Sequence, residues 1–426
     1  MKGPDRWLFL EPFVHLASSA TSVLFYNALN GKRFEIPKEG KPGRLAEALL
    51  NPENGYVTGL SKADTEDPSV AELLTLLRSN FMGDLLDAGW SSGRPANIFP
   101  RPHFKSHLTK ELISKPESRD SIDFNNYIHE VVLYLNSGAS SESDPLYRAP
   151  YQFTYPGHTT TTPSEIPWSD LHRFLNHLSM YKITSVQVTG TDIGKYQALP
   201  ELGRFLGAAG MPAHYHINGN EWDPAIVSKI PDKGKSRLGL HFAFPVDLNM
   251  LNSIITAVSD SPWKKRTDFH FVISTATELE TARQIIGMAN LNPAYINPYL
   301  NRSNFDFFRN TVFITRDDIA YSTPGQNQVF SRLTVNESDF GKVTLLPDLN
   351  LYANLNDPPC GQLGSISLEK LILNELTEGS SWLRTRSGVS PCRDCIYRFL
   401  CPPVSSYELI LRRFNFCDVY QPPDGA

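Results

Sequence analysis

Residues 213–218 read AHYHIN, a run in which every second side chain is apolar. Successive side chains of a strand point to opposite faces, so Ala213, Tyr215 and Ile217 share one face while His214 and His216 share the other. The pattern returns at LGLHFAF (238–244), where His241 opposes Leu240 and Phe242. It returns again at FHFVI (269–273), where His270 opposes Phe269 and Phe271. Working outward, Val131–Leu135 and Ser185–Val188 are further apolar runs of strand length. The segments around Trp168–Tyr181, Pro200–Ala209 and Leu248–Val258 carry apolar residues at helical spacing. Strand and helix alternating in this way predict α/β architecture, with parallel βα units closed or partly closed into a barrel over residues 106–340. With the apolar faces packed on helices, His214, His216, His241 and His270 point into the lumen. Four imidazoles there are either ligands for a second, transition metal or the hydrogen-bonded lining of a polar cavity. A proline- and threonine-rich connection from Ser137 to Pro167 follows the first barrel strand, where long loops are functional or disordered.

A chain of 426 residues exceeds one ordinary core, so two or three domains are expected. Hydrophobic residues at 41% and charged residues at 20% are the balance of a globular protein. The net charge of -5 supplies no basic field for a phosphate backbone, so no nucleic-acid partner is expected. The apolar stretch from Trp7 to Leu16 is interrupted by Glu11, Pro12 and His15, and no membrane-length run follows. A cytoplasmic protein without a membrane partner is the expectation. Pro-rich stretches at Asn97–His103 and Asp357-Pro358-Pro359 are candidate hinges.

All five cysteines lie beyond residue 359, too few and too crowded for a disulfide framework. Cys392-Arg-Asp-Cys395 places two thiolates on one tight turn, and Cys401 and Cys417 complete a set of four within residues 341–426. Four thiolates ligate a [4Fe–4S] cluster or a structural Zn2+, and soft sulfur ligation does not choose between them. Tyr397, Phe399 and Leu400 would dry either site.

Residues 1–105 open with short strand-like runs, Trp7–Leu10, Val14–Leu16, Ser22–Tyr26 and Arg33–Ile36, separated by turn formers. Helical spacing follows at Leu45, Ala48 and Leu49. Asp67-Pro68 then offers an N-cap and a first-turn proline for a helix carrying Val70, Leu73, Leu74 and Leu77. A three-stranded sheet followed by helices predicts a small winged-helix module. Val23, Phe25 and Phe34 with Leu73 and Leu77 either line a groove for an added peptide strand or form the module's core.

The run PCRDCIYRFLCPP (391–403) with FNFCDVY (414–420) resembles the C-terminal SPASM (twitch-like) domain of peptide-modifying radical SAM enzymes. The resemblance implies that Cys392, Cys395, Cys401 and Cys417 hold one auxiliary [4Fe–4S] cluster. KVTLLPDLNLYANL and LGSISLEKL also resemble a family stretch, but Leu349 stands where the family has glycine, and Asn354 and Ser405 where it has cysteines. No cysteine lies near Thr334–Phe340 either, so a first auxiliary cluster is not expected, and Cys360 is an extra, structural thiol. The strand HEVVLYLNSG lacks the CxxxCxxC loop that should follow it, and SVQVTGTD lacks the family's GGE turn. Cleavage of S-adenosylmethionine is therefore not expected. The whole is similar to pseudo-radical-SAM proteins of Bacteroidetes peptide-maturation systems, with residues 7–86 resembling a PqqD-like peptide-recognition module. What this implies is a non-catalytic partner that binds a precursor leader peptide, a companion radical SAM maturase, or both. Two alternatives are an electron-relay iron–sulfur protein for that companion and a metal-dependent enzyme built on the barrel histidines.

Overall fold

The computed structural model describes residues 4–90, 93–97, 123–139, 147–160, 164–231 and 234–419. The proline-rich stretch read as a hinge from Asn97 onward, and the boundary at 105, lie outside the described residues beyond Asn97. Among the described residues no helix is long and apolar enough to cross a membrane.

The N-terminal unit contributes β1 (Arg6–Leu10), β2 (Val14–Ser18), β3 (Ser22–Asn27), β4 (Arg33–Pro37), β5 (Val57–Leu60) and β6 (Gly83–Asp87). β2, β3 and β4 form the antiparallel meander that their alternation predicts. β1 does not join it, lying instead between β5 and β6 in a second antiparallel sheet. Asn80–Leu86 is not helical: a turn there leads from the helix carrying Val70 and Leu77 into β6. The helix Pro68–Ser79 starts as expected, with the Asp67 side chain accepting from the Ser69 amide and Pro68 in its first turn. It stops because Asn80 caps it and Phe81 turns into the left-handed region at φ 56°. Gly83 then lets β6 close on β1, since a Cβ there would lie 2.2 Å from the Phe9 carbonyl oxygen.

β3 is buried on both faces, which accounts for its unbroken apolar run. Val23 and Phe25 enter a core shared with Leu73 and Leu77. Leu24 and Tyr26 enter another, shared with Ile319, Val329, Phe399 and Leu400. One face of the meander therefore packs on its own helices and the other on the cysteine-bearing region.

The central sheet contains β7 (Glu130–Tyr134), β10 (Ser185–Thr189), β11 (Ala213–Asn218), β12 (Arg237–Ala243), β13 (Thr267–Ile273) and β14 (Ala294–Pro298), all parallel to their neighbours. The short β8 (Gly138–Ala139) and β9 (Thr159–Thr160) pair beside it. β15 (Lys342–Leu345) continues the sheet parallel to β7, and β16 (Asn350–Tyr352) and β17 (Gly361–Gln362) extend it antiparallel. The nine-stranded order β14-β13-β12-β11-β10-β7-β15-β16-β17 leaves β14 and β17 as open edges and carries one sheet across position 340. Helices Trp168–Leu178, Leu199–Ala209, Leu248–Ser259 and Ala276–Met288 bury their apolar faces in the core that receives Tyr215, Ile217, Leu240 and Phe271. β14 was not legible in the sequence, because AYINP is short, proline-ended and only half-buried.

Because Phe25 is fully enclosed, Phe25→Ala is expected to destabilise the N-terminal unit by about 3–5 kcal/mol. Leu29→Ala, at a side chain 66% exposed, is expected to change stability by no more than about 0.5 kcal/mol in the same urea titration.

Candidate functional site

The thiols of Cys392, Cys395, Cys401 and Cys417 line one pocket, walled by Ile314, Ile319, Phe416 and Val419. A tight turn ties the first two together, the Cys395 amide donating to the Cys392 carbonyl at 3.0 Å. The Tyr397 amide donates to Cys395 Sγ at 3.4 Å, and the Cys401 amide to the Tyr397 carbonyl at 3.1 Å. Cys417 arrives from a distant segment through a parallel bridge to Ile314, held by Ile314 N to Phe416 O at 2.9 Å. Burial pushes the Cys392 thiol up to about 11 and Cys401 to about 12, and raises Cys395 as well. Burial thus favours the neutral thiols; were they ionised, soft sulfur donors would suit iron or zinc. Among the described residues, however, no three His, Cys, Asp or Glu side chains are grouped so as to hold a metal ion. Cys360 stands apart, its Sγ donating to Glu375 Oε1 at 3.6 Å, and burial raises it to about 12.

Arg386 organises this region and was not singled out from the sequence. Its guanidinium pairs with the Glu408 carboxylate at 3.0 and 3.2 Å, both side chains being almost fully buried. It also donates to the Pro402, Pro403 and Phe414 carbonyls and to Cys392 Sγ at 3.4 Å. Burial opposes the charge, but the Glu408 carboxylate more than offsets it and holds the guanidinium above its ordinary value. Glu408 in turn closes a capping box with Ser405, accepting from the Ser405 amide at 2.9 Å. That S-x-x-E spacing was legible, but a capping motif does not disclose a buried cationic partner.

Positions expected to lack cluster ligands meet in space. Asp339 accepts from the Asn336 and Asn354 side-chain amides, each at 2.9 Å, and Asn336 also donates to the carbonyl of Val404, beside Ser405. Burial raises the Asp339 carboxyl to about 6. An amide and carboxyl network thus fills the space between these segments.

In the barrel the four histidines lie against one another. His216 Nε2 donates to Gln187 Oε1 at 2.7 Å, an orientation supported by the Gln187 amide donating to Ser185 Oγ. His216 Nδ1 therefore accepts, at 2.8 Å, from His241 Nε2. His270 stacks between His241, at 4.4 Å, and Tyr295, at 5.0 Å, and accepts from Asn297 through Nδ1. His214 Nε2 lies 3.4 Å from Asp268, which Arg237 grips. Gly239 makes room for these rings, since a Cβ there would lie 2.8 Å from His216 Nδ1. Burial first, then mutual repulsion, pushes His216 and His241 well below the usual imidazole range and His270 to about 4. Burial also lowers His214. The four rings form a packed polar lining in which His216 is bonded at both nitrogens, while His214 Nε2, His241 Nδ1 and His270 Nε2 are buried without a hydrogen-bond partner among the described residues. Over it lies the loop after β7: Tyr155 stands edge-on to His241 at 5.4 Å, and the Gly157 amide donates to the Gly190 carbonyl.

Of the residues considered for peptide binding, Val23, Phe25, Leu73 and Leu77 are enclosed in the N-terminal core, because β3 is covered on both faces. Phe34, stacked on Phe25 at 4.8 Å, is only partly buried and reaches a groove of about 300 Å3. Arg33, Glu35, Arg316, Ile319, Ala320 and Tyr397 complete its lining. Among the described residues β4 pairs with β3 alone. The bonds Asn27 N to Lys32 O and Lys38 N to Thr21 O set the alternation, leaving the peptide groups of Arg33 and Glu35 facing off the sheet.

No protein-family model and no curated protein matches the chain. Among solved structures it is similar to Streptococcus suis SuiB bound to S-adenosylmethionine, at 10% identity over 96% of this chain and 97% of that one, with a TM-score of 0.46. It is also similar to SuiB bound to the precursor peptide SuiA, at 11% identity over 97% and 100% of the two chains, with a TM-score of 0.42.

Removing the Arg386 guanidinium strands Glu408 in the interior, so Arg386→Ala is expected to cost about 3–5 kcal/mol in chemical denaturation. Acid acts through the histidines. Their folded-state values lie below the ordinary 6.5, so their contribution is fully present above pH 6.5 and is lost as pH falls towards about 4. Each imidazole that stays neutral in the fold removes about 1.4 kcal/mol per pH unit in that window. The melting temperature is expected to fall between pH 7 and pH 5, and to fall less for His270→Gln.

Proposed function

We propose that this chain is a non-catalytic partner in the maturation of a ribosomally made peptide. It receives an extended segment of the precursor along β4 while a companion radical SAM maturase performs the chemistry. The observation that carries this reading is the groove of about 300 Å3 between the open edge of β4 and the cysteine-bearing region. An added strand takes its affinity from backbone hydrogen bonds to an unpaired edge and its selectivity from pockets for alternate side chains. The outward peptide groups of Arg33 and Glu35 supply the first, and Phe34, Ile319 and Tyr397 supply the second.

Cys392, Cys395, Cys401 and Cys417 would hold one [4Fe–4S] cluster, which supplies four attachment points joining segments distant in sequence. A cluster suits sulfurs arranged around a pocket. A single zinc ion with bonds of about 2.3 Å must draw all four onto one centre. A structural role follows from the surroundings, since Arg386 and the apolar walls bury the thiols. The barrel supports the non-catalytic assignment in two ways. No cysteine precedes Cys360, and three thiolates on the β7 loop are what reductive cleavage of S-adenosylmethionine needs. Tyr155 of that loop instead stands edge-on to His241 of the histidine lining.

Anaerobic reconstitution followed by metal and sulfide analysis is expected to give about four irons and four sulfides per chain, the stoichiometry of one cluster. One zinc per chain without sulfide would overturn the cluster assignment. Pulldown of a ribosomal precursor peptide is expected to succeed, and to weaken at least tenfold for Glu35→Pro, which removes an outward-facing N–H without breaking the β3 ladder. Undiminished binding by that variant would place the peptide elsewhere.

A further inference from the structure

Both walls of the β4 groove are fastened to candidate metal ligands, each wall to a different one. On the strand side, the Tyr397 amide donates to Cys395 Sγ and the Tyr397 hydroxyl donates to Glu35 of β4. Arg398 adds a second tie, donating to the Cys395 carbonyl at 2.9 Å and to the carbonyl of Ser18, at the end of β2, at 3.3 Å. On the helix side, Cys417 is bridged to Ile314, which immediately precedes the Thr315 cap of the helix Arg316–Tyr321. The Asp418 amide reinforces that bridge by donating to the Ile314 carbonyl at 3.2 Å. The far end of the same helix is tied back to the cysteine loop, with Ser322 Oγ donating to the Leu400 carbonyl at 3.0 Å. Cys401 itself packs in the apolar cluster with Ala17, Leu24 and Tyr26 of the meander.

We infer that the four-cysteine site is a clamp that sets the width of the peptide groove, so that its loading with metal controls whether the chain can accept a peptide. The inference rests on the peptide-binding and cluster assignments above and names their regulation. The physical argument is one of connectivity. Cys395 and Cys417 lie on segments joined by no common helix or strand, and one carries the β4 wall while the other carries the helix wall. A shared metal centre fixes the separation of the two sulfurs and, through Tyr397 and Ile314, the separation of the walls. Without it the walls and the cysteine segments keep hydrogen bonds alone, from Arg33 of β4 to the Ile319 and Ala320 carbonyls and from Arg386 and the Cys392 thiol to the Phe414 carbonyl. Such bonds are exchanged for bonds to water at a small net gain, whereas metal–thiolate bonds contribute folding energy outright.

The test is amide hydrogen exchange on the full chain, with iron and zinc measured in the same samples, and it needs no peptide. Cys417→Ser is expected to lose its metal and to speed exchange about tenfold or more in both Arg33–Pro37 and Arg316–Tyr321, while Thr267–Ile273 of β13 stays as slow as in the parent. Tyr397→Phe keeps all four thiols; it is expected to retain metal and to speed exchange in Arg33–Pro37 alone. Metal loss in Cys417→Ser with both walls unchanged overturns the clamp. So does acceleration that extends equally to β13, which would mark general unfolding. Full metal retention in Cys417→Ser overturns the ligand assignment and the clamp with it. Zinc in place of iron, with both walls responding, leaves the clamp standing and overturns only the cluster. Walls that respond in a chain that captures no precursor would leave the clamp standing and count against the peptide-binding assignment instead.

Discussion

The guanidinium of Arg386 stands where the separate loops of the cysteine-bearing region meet. It faces Glu408, two proline carbonyls on the segment after Cys401, the Phe414 carbonyl before Cys417, and Cys392 itself. A region this poor in long helices and strands cannot define its shape by apolar burial alone. A charge buried beside its counter-charge, with several carbonyls as further acceptors, imposes one arrangement, since any other leaves an ion unpaired in the interior. The thiol pocket depends on that arrangement. The two walls of the groove beside β4 are tied to that pocket at Cys395 and Cys417, and to each other through Arg33, which donates to the Ile319 and Ala320 carbonyls.

The barrel illustrates a different use of polarity. Strand alternation places imidazoles on the face opposite the apolar core, and Gly239 leaves the space their rings require. Burial keeps the rings neutral, and a neutral imidazole can both donate and accept, so His216 bridges Gln187 and His241, whereas His241 Nδ1 and His270 Nε2 are left without a hydrogen-bond partner among the described residues. Tyr155 of the loop after β7 stands edge-on to His241. An interior closed in this way contributes to shape, at the expense of stability in acid.

Much of this was legible in the sequence because it depends on local periodicity. The faces of β11, β12 and β13, the start of the helix after Asp67, and the gathering of Cys392, Cys395, Cys401 and Cys417 all follow from spacing. What was not legible depends on partners far along the chain. Nothing in Trp7–Leu10 announces that β5 and β6 claim β1 for a second sheet. Spacing alone does not separate groove from core for Val23, Phe25, Leu73 and Leu77, which the fold encloses together, nor does it show that Leu24 and Tyr26 are covered from far along the chain. Nothing in the sequence marks Arg386 and Glu408 as a buried pair, and the bond from Tyr397 to Glu35 joins residues with no shared motif.

The account treats the chain as a receptor for a peptide laid along a strand edge, with the cysteine site as the fastening of that receptor and the barrel as its support. The most direct measurement is the structure of the chain in complex with its precursor peptide, prepared anaerobically. The account predicts an extended precursor segment hydrogen-bonded to the backbone of Arg33 and Glu35, with a side chain against Phe34 and Ile319. A precursor lodged in the barrel among His214, His216, His241 and His270, with β4 left bare, would contradict it.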